Sequence, residues 1–587
     1  MCGIAGIMAR DGAAPDAAAL EAMDAALAHR GPDGRGRYVE GDVGLRQRRL
    51  AVIDLVTGDQ PLHGPGGTAL VANAEIYNYL ELRQDLGEGR FATASDCEPA
   101  LHLYHRDPAS FPAALRGMYA IALHDPGAGR LLLARDPFGI KPLYYAESGR
   151  GVAFASEPQA LIAAGLVAPR VAPRARDELL ELQFTTGPET IFEGIRRLLP
   201  GETLELAGGR IVARRRLAAL PQGGPAAWDE REALGRLEAA LRESVKLHQR
   251  ADVPYGLFLS GGIDSSALLS LMAAPDAPPV QTFTVGFPGS AAPDERDHAR
   301  ALAAKLGAEH VEVAFAEDDF WALLPEVAAA LDDPVADYAA LPTYKLAAAA
   351  ATGLKVVLSG EGGDELFAGY GRYRRHLRPR WLGGRPMRRR GILDGLGVLR
   401  APAAGWREGL AAAEAAAGGE GRTALQAAQA ADCAEWLPND LLTKLDRCLM
   451  AHGLEGRVPL LDPALAALAF RLPDRLKVRG RRGKVLLRRW LAERLPEAEA
   501  MRRKRGFTVP AGEWIAGRGR MLGPLVARQP GIAECCHGPA VEALFTGGGK
   551  RAGQAAWTLL FYALWHRRHI LGARPQGDVF ETLAAIP

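Results

Sequence analysis

The chain has 587 residues, too many for one hydrophobic core, and this length favours three or four domain-sized units, some of which can merge. With 48% hydrophobic residues, 24% charged residues and a formal net charge of +2, the chain looks globular and gives no reason to expect nucleic acid as a partner. There is no membrane-span-length apolar run, signal-peptide pattern, disulfide framework or zinc spacing. We therefore expect a cytoplasmic protein without a membrane partner.

A strand-like apolar segment opens the chain and carries a thiol at its second position, Cys2. If Met1 is removed, which the small side chain of cysteine permits, Cys2 also carries a free α-amino group. This group titrates at about pH 8, so it can accept the thiol's proton near neutrality, and one residue would supply both nucleophile and base. The next segment, from Asp16 to His29, is a predicted helix with Asp16 as its N-cap.

Several separate motifs then follow in a fixed order: His29-Arg-Gly-Pro-Asp-Gly34, Arg48-Arg-Leu-Ala-Val-Ile-Asp54, Gly58-Asp-Gln-Pro-Leu62, Asn73-Ala-Glu-Ile-Tyr-Asn78, Ser95-Asp-Cys-Glu98, Arg135-Asp-Pro-Phe-Gly-Ile-Lys-Pro-Leu-Tyr-Tyr145 and Phe154-Ala-Ser-Glu157. Their order and spacing resemble the glutaminase domain of class II, N-terminal-cysteine amidotransferases. The resemblance covers about the first 200 residues. It implies an N-terminal-nucleophile αββα sandwich that hydrolyses glutamine at Cys2.

Each polar group of glutamine needs its own partner in such a site. Arg49 can hold the α-carboxylate bidentately and Asp96 can take the ammonium. The resemblance assigns the oxyanion hole to the Asn73 amide and the backbone N–H of Ala74, where most members of the family have glycine. The glutamine-binding residues it implies are Arg49, Leu50, Ala51, Val52, Ile53, Asn73, Ala74, Glu75 and Asp96.

The second half of the chain is organised around a glycine-rich loop between a predicted strand, 253–259, and a predicted helix that opens at Ser265. Gly261 and Gly262 let the backbone approach an anion, and the helix N-terminus faces it. Asp264 would repel phosphate unless a cation lay between them, which makes it a candidate Mg²⁺ ligand. Strands alternate with helices beyond this loop, so we expect a parallel sheet that binds its ligand at the carboxyl ends of the strands.

The loop resembles the SGGxDSS pyrophosphate loop of ATP pyrophosphatases and lacks the Gly-Lys-Ser/Thr ending of a Walker loop. Further motifs around Lys355–Phe367, Leu437–Arg447, Glu455–Asp462 and Gly483–Arg488 resemble the synthetase domain of glutamine-dependent asparagine synthetases. The likeness implies that Asp264 and Asp364 hold Mg²⁺, that Lys484 faces the phosphates and that Glu361 deprotonates ammonia. It assigns ATP binding to Phe258, Ser260, Gly261, Gly262, Asp264, Ser265, Ser266, Val285, Ser359 and Gly360.

We therefore predict a multidomain α/β and α+β protein: a glutaminase domain at 1–205, a linker at 206–230, an ATP-pyrophosphatase domain at 231–520 and a C-terminal helical extension at 521–587, with a helical insertion at 380–432. The predicted reaction uses ATP, Mg²⁺ and glutamine to amidate aspartate through β-aspartyl-AMP. A homodimer is left open.

Three alternatives remain beside this prediction. The first keeps the machinery but amidates another carboxylate, on a peptide, a natural-product precursor or a sugar acid. Asp333 and Gly456 stand where family members commonly have Glu and Val, so the acceptor pocket can differ. A catalytically silent binding protein is disfavoured because Cys2, Asp264 and Asp364 are all present. A phosphoribosyl-transferring enzyme is disfavoured because the second half has no acidic ribose-phosphate motif.

Overall fold

The structure is a computed structural model that describes residues 2–273, 278–289, 294–379, 381, 384, 387–502 and 509–586. Its N-terminal part contains two antiparallel sheets of six strands, in the orders β10-β8-β9-β1-β3-β2 and β12-β11-β7-β6-β5-β4. The strands are β1 Gly3–Ala9, β2 Gly34–Glu40, β3 Val43–Arg49, β4 Leu62–His63, β5 Ala69–Ile76, β6 Gly117–Asp125, β7 Arg130–Arg135, β8 Tyr144–Ser148, β9 Gly151–Ala155, β10 Arg196–Arg197, β11 Glu202–Ala207 and β12 Arg210–Arg216.

The two sheets pack face to face because alternate residues of their strands are apolar. Ile4 and Phe154 from the first sheet share a buried cluster with Val71 and Leu133 from the second. Helices cover the outer faces, so this part is the αββα sandwich that the sequence predicts. The helices are α1 Ala17–Ala26, α2 Tyr79–Leu86, α3 Glu98–Arg106, α4 Phe111–Ala114, α5 Pro158–Ala163 and α6 Pro173–Leu182.

The C-terminal part contains a five-stranded parallel sheet in the order β15-β14-β13-β16-β17. Its strands are short and mostly buried, as expected of a parallel sheet covered by helices. They are β13 Tyr255–Phe258, β14 Gln281–Gly286, β15 Glu309–Ala314, β16 Val356–Leu358 and β17 Glu455–Arg457.

The helices of this part, in chain order, are α7 Glu230–His248, α8 Ile263–Met272, α9 Arg296–Lys305, α10 Glu317–Ala330, α11 Ala340–Ala350, α12 Gly363–Leu366, α13 Gly371–His376, α14 Glu408–Ala417, α15 Ala424–Ala431, α16 Thr443–Met450, α17 Pro463–Arg471, α18 Asp474–Lys477, α19 Val485–Arg494, α20 Ala511–Gly517, α21 Gly519–Ala527, α22 Pro530–Cys535, α23 Gly538–Thr546, α24 Lys550–His569 and α25 Val579–Ala584. A π-helix, Asp432–Leu442, joins α15 to α16 without a break. None of the helices in the described ranges is both long and apolar enough to cross a membrane.

The predicted elements are present with somewhat different ends: α1 ends at Ala26 rather than His29, and α8 begins at Ile263 rather than Ser265. Asp16 caps α1 by accepting from the backbone N–H of Ala19, at 3.0 Å. The strand, glycine turn and helix of the phosphate loop are present as β13, residues 259–262 and α8. Within 380–432 the described residues form only α14 and α15 as α-helices, so the predicted helical insertion is helical in its second half.

Buried ion pairs hold the sandwich against the parallel-sheet part. Arg30 donates to both carboxylate oxygens of Asp446, at 2.8 and 2.9 Å. Arg457 donates to Glu75 at 2.8 Å, and Arg116 donates to Asp462 at 2.7 Å. Because these side chains are largely removed from water, their partners must be matched closely across the interface.

Two candidate active sites

The Cys2 thiol is buried at the start of β1, between the sandwich sheets and the interface. β1 runs antiparallel to β3, with Gly3 opposite Arg48, and this pairing brings Gln47 beside the thiol. The Gln47 amide donates to Sγ at 3.1 Å. Burial raises the pKa of the Cys2 thiol, whereas hydrogen bonds from the Leu50 N–H and Gln47 lower it. The thiol therefore needs a nearby base before it can attack.

Asn73 lies on β5 and is hydrogen-bonded to the backbone of Cys2. Its Oδ1 accepts from the backbone N–H of Cys2 at 3.0 Å. Its Nδ2 is buried and has no hydrogen-bond partner among the described residues. Because buried amide donors are ordinarily satisfied, an unused donor beside a nucleophile is suited to a negatively charged oxygen that forms during a reaction.

Ala74 lies in the regular part of β5, opposite Tyr119 of β6, and is not among the residues with positive φ. The N–H groups of Ala72 and Ile76 point away from β6, since they donate to Gln60 and Asp96. By the alternation of a strand, the Ala74 N–H points the same way. Alanine at this position therefore causes no backbone strain and keeps the N–H that the predicted oxyanion hole needs.

The structure brings the remaining predicted glutamine-binding residues to the same region and buries them all. The guanidinium of Arg49 donates to Asp59 at 2.7 Å and to the backbone oxygens of Ile53 and Asp54, so the segment 50–54 wraps around it. The predicted residues in that segment are Leu50, Ala51, Val52 and Ile53.

Asp96 and Glu75 supply carboxylates beside this pocket. Asp96 accepts from the backbone N–H of Ile76 at 2.7 Å, and burial raises its pKa to about 6. Glu75 accepts from Arg457 across the interface, and burial raises its pKa well above the ordinary value. The predicted glutamine ligands therefore include two residues that are also bonded to the second half of the chain: Glu75, and Val52, whose backbone oxygen accepts from the Asp252 N–H at 2.9 Å.

The predicted ATP residues lie at the carboxyl edge of the parallel sheet, on β13, β14 and the segment after β16. Gly261 has a φ of +66°, a backbone conformation that glycine adopts readily. The Ser265 hydroxyl accepts from the backbone N–H of Ser260 and donates to the Gly262 oxygen, both at 3.2 Å, which closes the loop over the start of α8. A Cβ on Gly360 would lie 2.8 Å from the Cβ of Asp264, so glycine permits the two loops to meet. The other predicted members at this edge are Phe258, Ser266, Val285 and Ser359.

Lys484 lies between the two predicted metal ligands. Its ammonium bonds to Asp264 and, at 2.8 Å, to Asp364. Although burial alone would lower it, the two carboxylates raise the pKa of Lys484 to about 12. A site that holds an ammonium between two carboxylates fits a hard divalent cation, which prefers oxygen ligands. No three His, Cys, Asp or Glu side chains of the described residues are placed so that they could hold a metal ion together, so phosphate and water would complete the shell of an ion held by the two aspartates.

Glu361 follows the same edge and lies near a second charged group. Burial raises the pKa of Glu361, and Lys444 partly offsets this effect. Lys444 donates to Asp337 at 2.8 Å. Both carboxylate oxygens of Asp440 are buried without a hydrogen-bond partner in the part of the chain that the structure describes. Glu361, Asp337, Asp440 and Lys444 together form a charged cluster, which we call the Lys444 cluster.

Asp333 and Gly456, the two departures from the family pattern, have contacts other than the four residues of the Lys444 cluster. Asp333 accepts from Arg197 at 2.6 Å and from the Tyr144 hydroxyl at 2.8 Å, so it belongs to the interface between the two halves. Gly456 lies on β17, where an added Cβ would be 2.9 Å from Leu449.

Sequence reasoning missed two residues that the structure brings to these sites. Gln47 contacts the Cys2 thiol, and its only sequence signal is its place on the strand that pairs with β1. Gly369 lies against the Asp364 and Lys484 pair, where an added Cβ would come within 1.8 Å of the Asp364 carboxylate. A glycine five residues after an acidic helix start gives no local signal for this role.

Comparison with known proteins gives matches to both halves. The model of the asparagine synthase family matches residues 236–567, and the glutamine amidotransferase domain model matches residues 1–216. A Mycobacterium tuberculosis protein named as a glutamine-hydrolysing asparagine synthetase is 35% identical, over 96% of this chain and 97% of its own. Asparagine synthetase 1 of Bacillus subtilis is 31% identical, over 97% of each chain.

More distant matches are shorter. The amidase chyE of Penicillium rubens is 33% identical over 60% of this chain and 55% of its own. A solved allosteric regulatory enzyme of purine biosynthesis covers 53% of this chain and 80% of its own, with 16% identity and a TM-score of 0.30. With both domain models matched and relatives that align over nearly the whole length, the chain belongs to the glutamine-hydrolysing asparagine synthetase family.

Proposed function

We propose that this protein makes asparagine from aspartate, with ATP as the energy source and glutamine as the nitrogen donor. Membership of the family implies the use of glutamine, ATP and a carboxylate acceptor. The observation that carries the proposal is the pairing in one chain of two sites: a buried thiol beside an unused amide donor, and an ammonium between two carboxylates at a phosphate loop.

In the first site, the Cys2 thiolate attacks the side-chain amide carbon of glutamine. We infer that the free α-amino group of processed Cys2 takes the thiol's proton, and that Asn73 Nδ2 and the Ala74 N–H stabilise the oxyanion. Ammonia leaves as the thioester forms, and water then releases glutamate. We assign the glutamine carboxylate to Arg49 and its ammonium to Asp96, with Glu75 and the segment 50–53 enclosing the substrate.

In the second site, the acceptor carboxylate attacks the α-phosphorus of ATP and pyrophosphate departs. We assign the nucleotide to the loop 260–266 together with Phe258, Val285, Ser359 and Gly360. Mg²⁺ held by Asp264 and Asp364 would neutralise phosphate charge there. Lys484 stabilises the charge that develops on the departing pyrophosphate, and Glu361 accepts a proton from ammonia as it displaces AMP.

The finer choice of acceptor rests on the overall likeness to proteins named as asparagine synthetases. The same two half-reactions on another carboxylate form the second candidate, because amidases such as chyE also match this chain. We further propose the division into a glutaminase domain, 1–205, a linker, 206–230, a synthetase domain, 231–520, and a helical extension, 521–587.

The decisive experiment measures AMP and pyrophosphate release from ATP, Mg²⁺ and glutamine, with and without aspartate, and identifies the amide by mass. The expected result is aspartate-dependent AMP release with one asparagine per AMP. The control is Asp264→Asn, which should release no AMP with either glutamine or ammonia while it still hydrolyses glutamine. Glutamine hydrolysis without any response to aspartate would reject aspartate and favour the second candidate.

A further inference from the structure

A strongly basic surface lies beside the second site. Its six arginines come from α13 and the segment after it and from the turn 479–482, and none is ion-paired to a carboxylate within the described residues. We call them the basic patch: Arg374, Arg375, Arg378, Arg479, Arg481 and Arg482. All but Arg374, which is half-buried, are exposed.

The two stretches of the patch lie side by side, because an added Cβ on Gly483, just after the turn 479–482, would be 2.2 Å from the backbone oxygen of Ala368, three residues before α13. Burial and the nearby guanidinium groups of Arg375, Arg378 and Arg481 lower the pKa of Arg374. The turn 479–482 is closed by backbone hydrogen bonds between Arg479 and Arg482, at 3.0 and 3.1 Å. Guanidinium groups that lie close together without carboxylate partners repel one another, and an anionic partner would reduce this repulsion.

An exposed aromatic residue follows the first arginines of the patch in the chain. Trp381, three positions after Arg378, has 83% of its surface exposed. Leu377, 37% exposed, precedes it between two arginines of the patch. A tryptophan side chain is stabilised at a membrane–water interface, where its ring contacts apolar groups and its N–H stays hydrated.

We propose that this face docks on an anionic lipid surface, with the basic patch against lipid phosphates and with Trp381 and Leu377 in the headgroup region. Four to eight basic residues beside apolar anchors are the usual composition of such a surface. A nucleic-acid site would need exposed aromatic residues interleaved with the arginines to stack on bases, whereas Tyr373 beside Arg374 is buried and Trp381 follows Arg378 by three positions. The sequence alone led us to expect no membrane partner, and the docking we infer is peripheral.

Because the basic patch lies beside the second site, docking would also bring that site close to the lipid surface. The turn 479–482 leads directly into Lys484, whose backbone N–H donates to the Phe367 oxygen at 3.0 Å. The mouth of the phosphate loop would therefore lie close to the lipid surface. If the proposed amidation is correct, acceptors at that surface would reach the site, but the docking itself does not depend on the proposed reaction.

The test is sedimentation of the full chain with phosphatidylcholine vesicles, with and without phosphatidylglycerol, in the absence of ATP and acceptor. We expect binding only with phosphatidylglycerol, about tenfold or more weaker for Arg375→Glu/Arg378→Glu, and weakened by salt. The matched control is Arg520→Glu/Arg528→Glu, an equal charge reversal at exposed positions of α21 and the residue after it, which should bind as the wild type does. Absent binding, or equal binding by both double variants, would overturn the proposal.

Tryptophan fluorescence supplies an independent readout. Trp381 is by far the most exposed of the nine tryptophans, so vesicles should shift the emission to shorter wavelength, and Trp381→Phe should remove the shift. Glutamine hydrolysis by every variant verifies that the chain is folded, because none of the altered residues lies near Cys2. A shift that persists in Trp381→Phe would contradict insertion of this residue.

Discussion

At the scale of single residues, the first site contains two groups that cost free energy in the empty protein. Burial disfavours the Cys2 thiolate, and the Asn73 amide donor is left unused. These costs are offset only when the thiolate attacks a substrate carbonyl and the amide donor binds the negative charge that forms on its oxygen. The site is therefore arranged for a reaction intermediate rather than for the empty protein.

The carboxylate of Asp96 leads to a prediction on pH. Burial raises its pKa to about 6 in the empty pocket, so it loses its charge as the pH falls through that value. A neutral carboxyl attracts an ammonium weakly, and we expect the Kd of glutamine to rise about tenfold per pH unit below about pH 6. Calorimetric titration of the Cys2→Ala protein from pH 5 to 7.5 measures this binding without turnover.

The matched control for this titration is Asp96→Asn in the same Cys2→Ala background. It should bind glutamine weakly at every pH in the range, because its side chain has no charge to lose. A Kd that is constant with pH while Asp96 is present would contradict the role of this carboxylate as the ammonium partner.

At the scale of elements, α16 connects the two sites. Its Asp446 is bound by Arg30, and Arg30 Nε also donates to the Cys2 carbonyl at 3.2 Å. Although burial alone would raise it, Arg30 and Arg447 hold the pKa of Asp446 below the ordinary value. Two residues earlier, Lys444 donates to Asp337 in the Lys444 cluster, near Glu361. A shift of this helix would therefore move groups in both sites together.

We expect Asp446→Asn to weaken that connection. The change leaves Arg30 with Glu157 as its remaining anionic partner and should cost about 3 kcal/mol of unfolding free energy. Glutamine hydrolysis should then proceed without the acceptor, so that glutamate formed per AMP rises above one. Ammonia-driven AMP release should persist, and parallel assays of glutamate and AMP measure the ratio.

The control for Asp446→Asn is Asp24→Asn. Asp24 is another buried aspartate held by arginines, but its partners Arg35 and Arg48 belong to the sandwich alone. It should lower stability without changing the ratio of glutamate to AMP. An Asp446→Asn enzyme with an unchanged ratio would show that α16 does not link the two activities.

The sequence predicts several single elements but not the contacts between elements that are distant in the chain. β13, the glycine turn and α8 follow from local composition, and α1 follows from Asp16 and its apolar spacing. The contact between Arg30 and Asp446 joins residues 416 positions apart, and no local pattern relates them. Gln47 reaches Cys2 only through strand pairing, so its role depends on a register that composition does not specify.

At the scale of the whole molecule, the proposed function requires ammonia to pass from the Cys2 site to the site at Lys484. Cys2→Ala should abolish glutamine-driven amidation, because no thioester can form, while ammonia added as its salt should still support it. Product formation from each nitrogen source measures the effect. Wild-type enzyme with both sources is the reference, and loss of the ammonia-driven reaction as well would contradict two separable sites.

The ammonium of Lys484 has a consequence for the protein before any substrate arrives. It serves as the internal counter-ion of Asp264 and Asp364, two carboxylates that would otherwise repel each other in a site partly shielded from water. Any substitution that removes this charge changes the ionisation of both aspartates as well as the contact with phosphate. A Lys484→Met enzyme would therefore differ from the wild type even in its resting state, and Lys484→Arg, which keeps the charge, is the substitution that separates charge balance from contact geometry.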